Sequence, residues 1–196
     1  MLKVVQAPDK VLSQKAKYVP VIDKSIKHLL HEMDLTLAHA SDPEGVGLAA
    51  PQVDKSLQIF IIRQTPKSPL LTFINPKIEK FFDSPEDKVD VHQNKDAAKA
   101  KRKAKIDKGV QLEGCLSLKD IWGVVKRHYG VEVTYQDENG EKHTKKFDGF
   151  LATIIQHEYD HLQGNLFPKR VIEQKNKLYH SVKNSKDEVE FEEINL

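Results

Sequence analysis

The chain reads as a mixed α and β protein, and three observations carry that reading. Apolar residues recur at helical spacing from Ile26 to Leu37, β-rich stretches run over Leu57–Ile62 and Leu71–Ile74, and Val131, Val133 and Tyr135 alternate before an Asp137-Glu138-Asn139-Gly140 turn. Helical recurrence and period-two alternation are the signatures of one buried helix face and one buried strand face.

In chain order, Ile26, Leu29, Leu30, Met33 and Leu37 predict an amphipathic helix that begins near Asp23 or Ser25 and fades before Ser41-Asp42-Pro43. Gly45-Val46-Gly47-Leu48-Ala49-Ala50-Pro51-Gln52 is too small and glycine-rich to start a helix and reads first as a tight turn into the β-rich residues that follow. From Asp83 to Lys108 the pattern breaks into a polar, lysine-rich insertion. Its run Lys99-Ala100-Lys101-Arg102-Lys103-Ala104-Lys105 is offset by nearby acids and reads as a solvated face ahead of an RNA contact. Beyond the turn at 137–140, Lys142 to Phe147 is expected to return as the second strand of a hairpin. Gly149 then opens a helix whose stripe is Leu151, Ile154, Ile155, Glu158 and Leu162, with Gly164 ending it. Ile172, Leu178 and Val182 predict a last helix over 171–185, and the acidic tail at about 186–196 reads as a solvated terminus.

Bulk properties narrow the classes. A chain of 196 residues, 39% hydrophobic and 31% charged, is expected to fold as a single domain, 1–196, with a real core. A net charge of +2 supplies no basic field to attract nucleic acid. The N-terminal residues have no apolar core long enough for a secretory signal, and no run approaches the roughly 18 apolar residues of a membrane span. The one cysteine forbids an internal disulfide, and a thiolate used as a ligand favours a reducing compartment, hence a cytoplasmic location, although a processed organellar form would read the same.

The chemistry concentrates in His157-Glu158-Tyr159-Asp160-His161. Two imidazoles four positions apart lie about 40° apart around a helix and one turn along it, so both can reach one ion. Glu158, beside the first, sits where a carboxylate can reach a metal-bound water as general base without being a ligand. An open catalytic site needs a third protein ligand. Cys115, in Glu113-Gly114-Cys115-Leu116-Ser117, is the candidate, with a small buried hydrophobe as its other reading. Arg127 reads as a structural charge, and Phe150 and Ile154, on the turns before the histidines, as apolar wall or plain core.

Taken in order, the segments Gly45–Gln52, Glu113–Ser117 and Gln156–Gly164 resemble the three signature motifs of the peptide deformylases, and the resemblance runs from about Val4 to Arg170. It implies an α+β fold in which antiparallel β-sheets surround a central helix carrying the metal motif. It also implies a metal-dependent hydrolase that removes the N-terminal formyl group from the formyl-methionine of newly synthesised polypeptides and releases formate. Carried over residue by residue, the metal ligands are Cys115, His157 and His161, and Glu158 is general base and later acid. Gln52 and the backbone N–H of Leu116 meet the developing oxyanion. Gly47 lets the backbone approach the substrate, and Val46, Phe150 and Ile154 are nominated for the methionine pocket. One divalent ion per chain is expected, Fe2+ ahead of Zn2+, Ni2+ or Co2+. The expected partners are N-formylmethionyl nascent peptides and a transient ribosome contact, with no membrane and no specific nucleic-acid sequence. Lys119 stands where the family usually has proline, so preference beyond methionine is open.

Two rivals are weaker. A zinc peptidase of the metzincin kind needs a third histidine where Phe167 stands, and a peptidase ligand at Glu173 leaves Cys115 and Gln52 without roles. An RNA-binding module with a structural metal plug would close its site with four protein ligands, whereas three and an adjacent acid are offered here.

Overall fold

A computed structural model of the chain describes residues 1–40, 45–84, 105–106, 110–185 and 188–195. Positions 85–104 and 107–109 of the expected insertion lie outside the described residues, and with them almost all of the basic run, as does the helix stop at Ser41-Asp42-Pro43.

The first helix, α1 (Lys24–Ala38), begins where Asp23 caps it, the carboxylate accepting from the backbone N–H groups of Ser25 and Ile26. Strands β1 (Gly47–Ala49), β2 (Ile59–Ile62), β3 (Leu71–Phe82), β8 (Gly130–Gln136) and β9 (Lys142–Asp148) form a five-stranded antiparallel sheet in the order β1-β2-β3-β8-β9. The segment 45–52 is therefore not a plain turn: β1 is an edge strand, and Ala50–Val53 coil into a 3-10 helix behind it. Strand β3 runs eight residues past the expected Ile74 because the chain absorbs Pro76 in a register shift between Ile74 and Lys77. Asn75 takes φ 51° there and pairs its side chain with both the N–H and the carbonyl of Val19. The hairpin turn is as expected, with Asp137 accepting from the N–H groups of Asn139 and Glu141.

This sheet is covered on both faces. Ile59 and Ile61 of β2 pack with Ile26, Leu29, Leu30 and Met33 of α1, while Phe60 and Ile62 pack with Ile154, Ile155 and Leu162 of α2 (Gly149–Leu162). That is why β2 is an unbroken apolar run: each side chain is buried whichever way it points, worth about 1.5 to 3 kcal/mol apiece. Helix α2 ends at Gly164, whose φ of 70° is left-handed and whose missing Cβ would otherwise meet the Ser13 backbone at 2.8 Å.

A second antiparallel sheet holds β6 (Glu113–Cys115), β7 (Leu118–Gly123), β10 (Leu178–Lys183) and β11 (Val189–Ile194), in the order β11-β10-β7-β6. Residues 105–106 and 110–111 pair as two short strands, β4 and β5. Two expectations are corrected here. The last helix, α3, is only Phe167–Glu173, and 178–183 is a strand; Leu178 and Val182 mark one side of a β alternation, and Ile172 is 54% exposed. The acidic tail is not a loose terminus over its described part, because β11 pairs with β10 from Val189 to Ile194 and its Phe191 packs edge-on against Trp122. Glutamates fall on both faces of that strand, Glu190 and Glu192 on the side of Ile194 and Glu193 on the side of Phe191, which hid its period from the sequence. Together the two sheets and the helices make an α+β fold with antiparallel sheets around α2. No helix among the described residues is long and apolar enough to cross a membrane.

Candidate metal centre

Helix α2 and strand β6 deliver the expected ligand atoms to one place. One donor atom each from Cys115, His157 and His161 lie within 4.8 Å of one another, and Cys115 Sγ is 3.3 Å from His161 Nε2. Cys115 and His161 are buried at 3% and 1% exposure, so the buried-hydrophobe and ligand readings of the cysteine coincide: it is buried, and it faces two imidazoles. Glu158 is buried on the same helix. A Cβ added to Gly47 would sit 2.3 Å from Glu158 Oε1, so the backbone of β1 lies directly against this carboxylate and only glycine leaves it room.

Gln52 is buried behind β1 with its amide orientation decided by its partners. The Ala49 N–H donates to Oε1 at 2.8 Å, which turns the NH2 toward Ser117 Oγ at 3.3 Å and Cys115 Sγ at 3.5 Å. Leu116 sits in the tight β6–β7 turn, and its carbonyl accepts from Gln6 Nε2 at 2.9 Å. The N-terminal segment ties both loops together, since Val5 N–H donates to the Gln52 carbonyl and Ala7 N–H to that of Ser117. Val46, Phe150 and Ile154 fall in one apolar cluster beside α2, with Ile154 fully within it and the other two partly buried.

A chain of buried charges supports the centre. Glu113 accepts from Arg127 Nε and Nη2 at 2.8 and 2.9 Å and lies 3.1 Å from His157 Nδ1. Arg127 Nη1 donates to Asp160 at 2.7 Å, and Arg170 holds the other oxygen of Asp160 at 2.7 Å. Burial alone would raise the Glu113 pKa, but the hydrogen bonds from His157 and Arg127 hold it at about 2. Burial likewise works against a charged His157, yet its hydrogen bonds to Cys115 and Glu113, with the charge interactions of Cys115 and Glu158, raise it to about 10. His161 is pushed well below the ordinary value by burial and by the charges of His157 and Arg127. The Cys115 sulfur, the imidazoles and the buried Glu113 thus make a setting that favours positive charge, as a metal cation needs.

Arg127, which reads from the sequence as a structural charge, is the hinge of this support, and the sequence pattern does not mark Asp160 or Arg170. The signal available was that an imidazole ligand needs an acceptor for its second nitrogen, and that Glu113 is an acid set between Leu112 and Gly114-Cys115-Leu116.

A cysteine and two histidines that bring donor atoms within 4.8 Å of one another, with a buried carboxylate on the same helix and an amide NH2 3.5 Å from the sulfur, is equipment that suits a metal-dependent hydrolase. The chain belongs to the polypeptide deformylase family, whose model matches residues 1–177. It is 36% identical over 170 residues to the peptide deformylase of Picosynechococcus sp., covering 83% of this chain and 75% of that protein. It is 31% identical over 183 residues to that of Desulfotalea psychrophila, covering 91% and 92%. The crystal structure of a Synechococcus elongatus peptide deformylase in complex with actinonin superposes with a TM-score of 0.67 at 36% identity, over 86% of this chain and 78% of that one. The chain is accordingly a metal-dependent enzyme that removes the N-formyl group from nascent peptides.

Proposed function

We propose that Cys115, His157 and His161 hold a single ferrous ion, that Glu158 carries the proton, and that Gln52 with the Leu116 N–H stabilises the oxyanion during deformylation of formyl-methionyl peptides. The observation that carries this is the convergence of three donor atoms within 4.8 Å beside a buried acid. When bound, the ion supplies Lewis acidity and lowers the pKa of water toward neutrality. Glu158, held against Gly47, is placed to accept a proton from the attacking water and to return it to the leaving methionine amine. The Gln52 NH2, its oxygen occupied by Ala49 N–H, points its donors at the space beside Cys115 where the oxyanion forms. Glu113 accepts from His157 Nδ1, which presents Nε2 as the donor to the ion.

Strand β1 is one edge of the five-stranded sheet and β6 one edge of the four-stranded sheet, and both border the centre, so an extended peptide can add to them by backbone pairing. Its methionine side chain is then received by Val46, Phe150 and Ile154. An iron-bound thiolate needs a reducing surrounding, which supports a cytoplasmic location. The test is formate release from formyl-Met-Ala-Ser by protein purified without oxygen, with bound metal quantified. Metal-loaded protein that releases no formate would overturn the reading, and activity lost in air that zinc restores as well as ferrous iron does would overturn the choice of iron.

A further inference from the structure

We propose that Gln6 is a positioning residue for deformylation: its side-chain amide fixes the Leu116 peptide so that the Leu116 N–H is aimed at the oxyanion. The proposal rests on the reading of the centre given above. The two oxyanion donors stand on different parts of the fold, Gln52 in the 3-10 helix behind β1 and Leu116 in the turn between β6 and β7. Strand β1 and strands β6 and β7 belong to different sheets, so the spacing of the donors must be set by something that touches both.

Residues 5–7 are that link. The Val5 N–H donates to the Gln52 carbonyl and the Ala7 N–H to the Ser117 carbonyl, each at 2.9 Å, and between them Gln6 Nε2 donates to the Leu116 carbonyl at 2.9 Å. The segment is itself anchored at both ends. Before it, the Leu2 N–H donates to the buried Thr36 Oγ1 of α1 at 2.8 Å. After it, the Gln6 carbonyl accepts from the Asp9 N–H, and Asp9 caps a 3-10 helix (Lys10–Ser13) whose Leu12 is buried.

Leu116 is therefore held by two arms of its Cα. Its side chain packs against the apolar cluster that contains Leu30, Met33 and Leu37 of α1, and its carbonyl is held by Gln6. With those two arms fixed, the chirality of the Cα assigns the nitrogen its place, and the planar peptide to Cys115 carries the N–H with it. Of the three links, only the one from Gln6 is made by a side chain; the other two are backbone bonds that any residue but proline would make. Gln6 is exposed, so its bond replaces one to water and adds little to folding. What it supplies is direction.

The experiment measures formate release from formyl-Met-Ala-Ser by metal-loaded full-length protein, comparing wild type with Gln6→Met, which keeps the length and removes the donor, and Gln6→Lys, which restores a donor on a side chain of similar reach. Gln6→Met should lower kcat by about three- to thirtyfold, less than the roughly 10²- to 10³-fold of removing an oxyanion donor outright, with KM, metal content and melting temperature little changed. Gln6→Lys should recover most of the kcat. In the metal-free protein, hydrogen exchange at the Leu116 amide should be about threefold faster or more in Gln6→Met and close to wild type in Gln6→Lys. A wild-type kcat in Gln6→Met, a loss carried by KM, unchanged Leu116 exchange, or a Gln6→Lys protein as slow as Gln6→Met would each overturn the role of Gln6. Failure of the underlying reading has a different signature, namely no formate from metal-loaded wild type.

Discussion

The two sides of helix α2 are built from opposite materials. Toward the five-stranded sheet, Ile154, Ile155 and Leu162 meet Phe60, Phe73 and Val131 in close apolar contact. Toward β6 and α3, the same helix meets a buried ladder that runs from His157 through Glu113, Arg127 and Asp160 to Arg170. The first side secures the helix through many interchangeable contacts, each replaceable by another aliphatic group at modest cost. The second has few members, and removing one leaves a buried charge with fewer partners. Position along the helix is thus set by packing, and the orientation and charge of His157 by the ladder.

The largest effect should come from the one acid that belongs to neither side. Glu158→Gln is expected to cut kcat for formate release by about 10²- to 10⁴-fold with metal content retained; equal loss of metal and activity would make it a structural group instead. Next, Arg127→Met should destabilise by about 3 to 5 kcal/mol in urea unfolding, since it leaves the buried Glu113 with His157 alone and the buried Asp160 with Arg170 alone. An Ile155→Val change on the packed side should cost only about 0.5 to 1.5 kcal/mol; comparable losses for the two would erase the contrast between the sides. Gly47→Ala must displace the Glu158 carboxylate, and a drop in kcat of up to about 10²-fold with little change in melting temperature is the expected mark.

The ladder also makes a pH prediction for the metal-free protein. His157 is raised from 6.5 to about 10, so its charged form stabilises the fold fully below pH 6.5 and that contribution disappears as pH rises toward 10. Glu113 is lowered from 4.5 to about 2, so its contribution is present above pH 4.5 and is lost as pH falls toward 2. Urea midpoints of chelator-treated protein should fall at both ends, and the alkaline fall should be absent in His157→Ala. The smallest effect belongs to the C-terminal hairpin, where Phe191→Ala removes one ring contact with Trp122 and should cost about 0.5 to 1.5 kcal/mol.

Much of this was legible before any coordinates. Helix α1 and its Asp23 cap, the β8–β9 hairpin and helix α2 each follow from local pattern, because a cap, a turn residue and an apolar period act within a few positions of one another. The family's three motifs were legible for the same reason, being short and contiguous. The β10–β11 hairpin was not, since its strands gain their stability from pairing with β7 and not from their own composition.

The sequence by itself offered candidate metal ligands, His157 and His161 by their spacing and Cys115 as the sole thiol, and carried the motifs that mark the family. Only the tertiary structure decided that β1 presses its glycine backbone against Glu158, that Gln52 turns its NH2 toward the sulfur, and that Arg127 joins Glu113 to Asp160 across 14 and 33 residues of chain. Such contacts are chosen by the packing of whole sheets against α2. No local rule relates residues so far apart, so their roles emerge only when the fold brings them within reach.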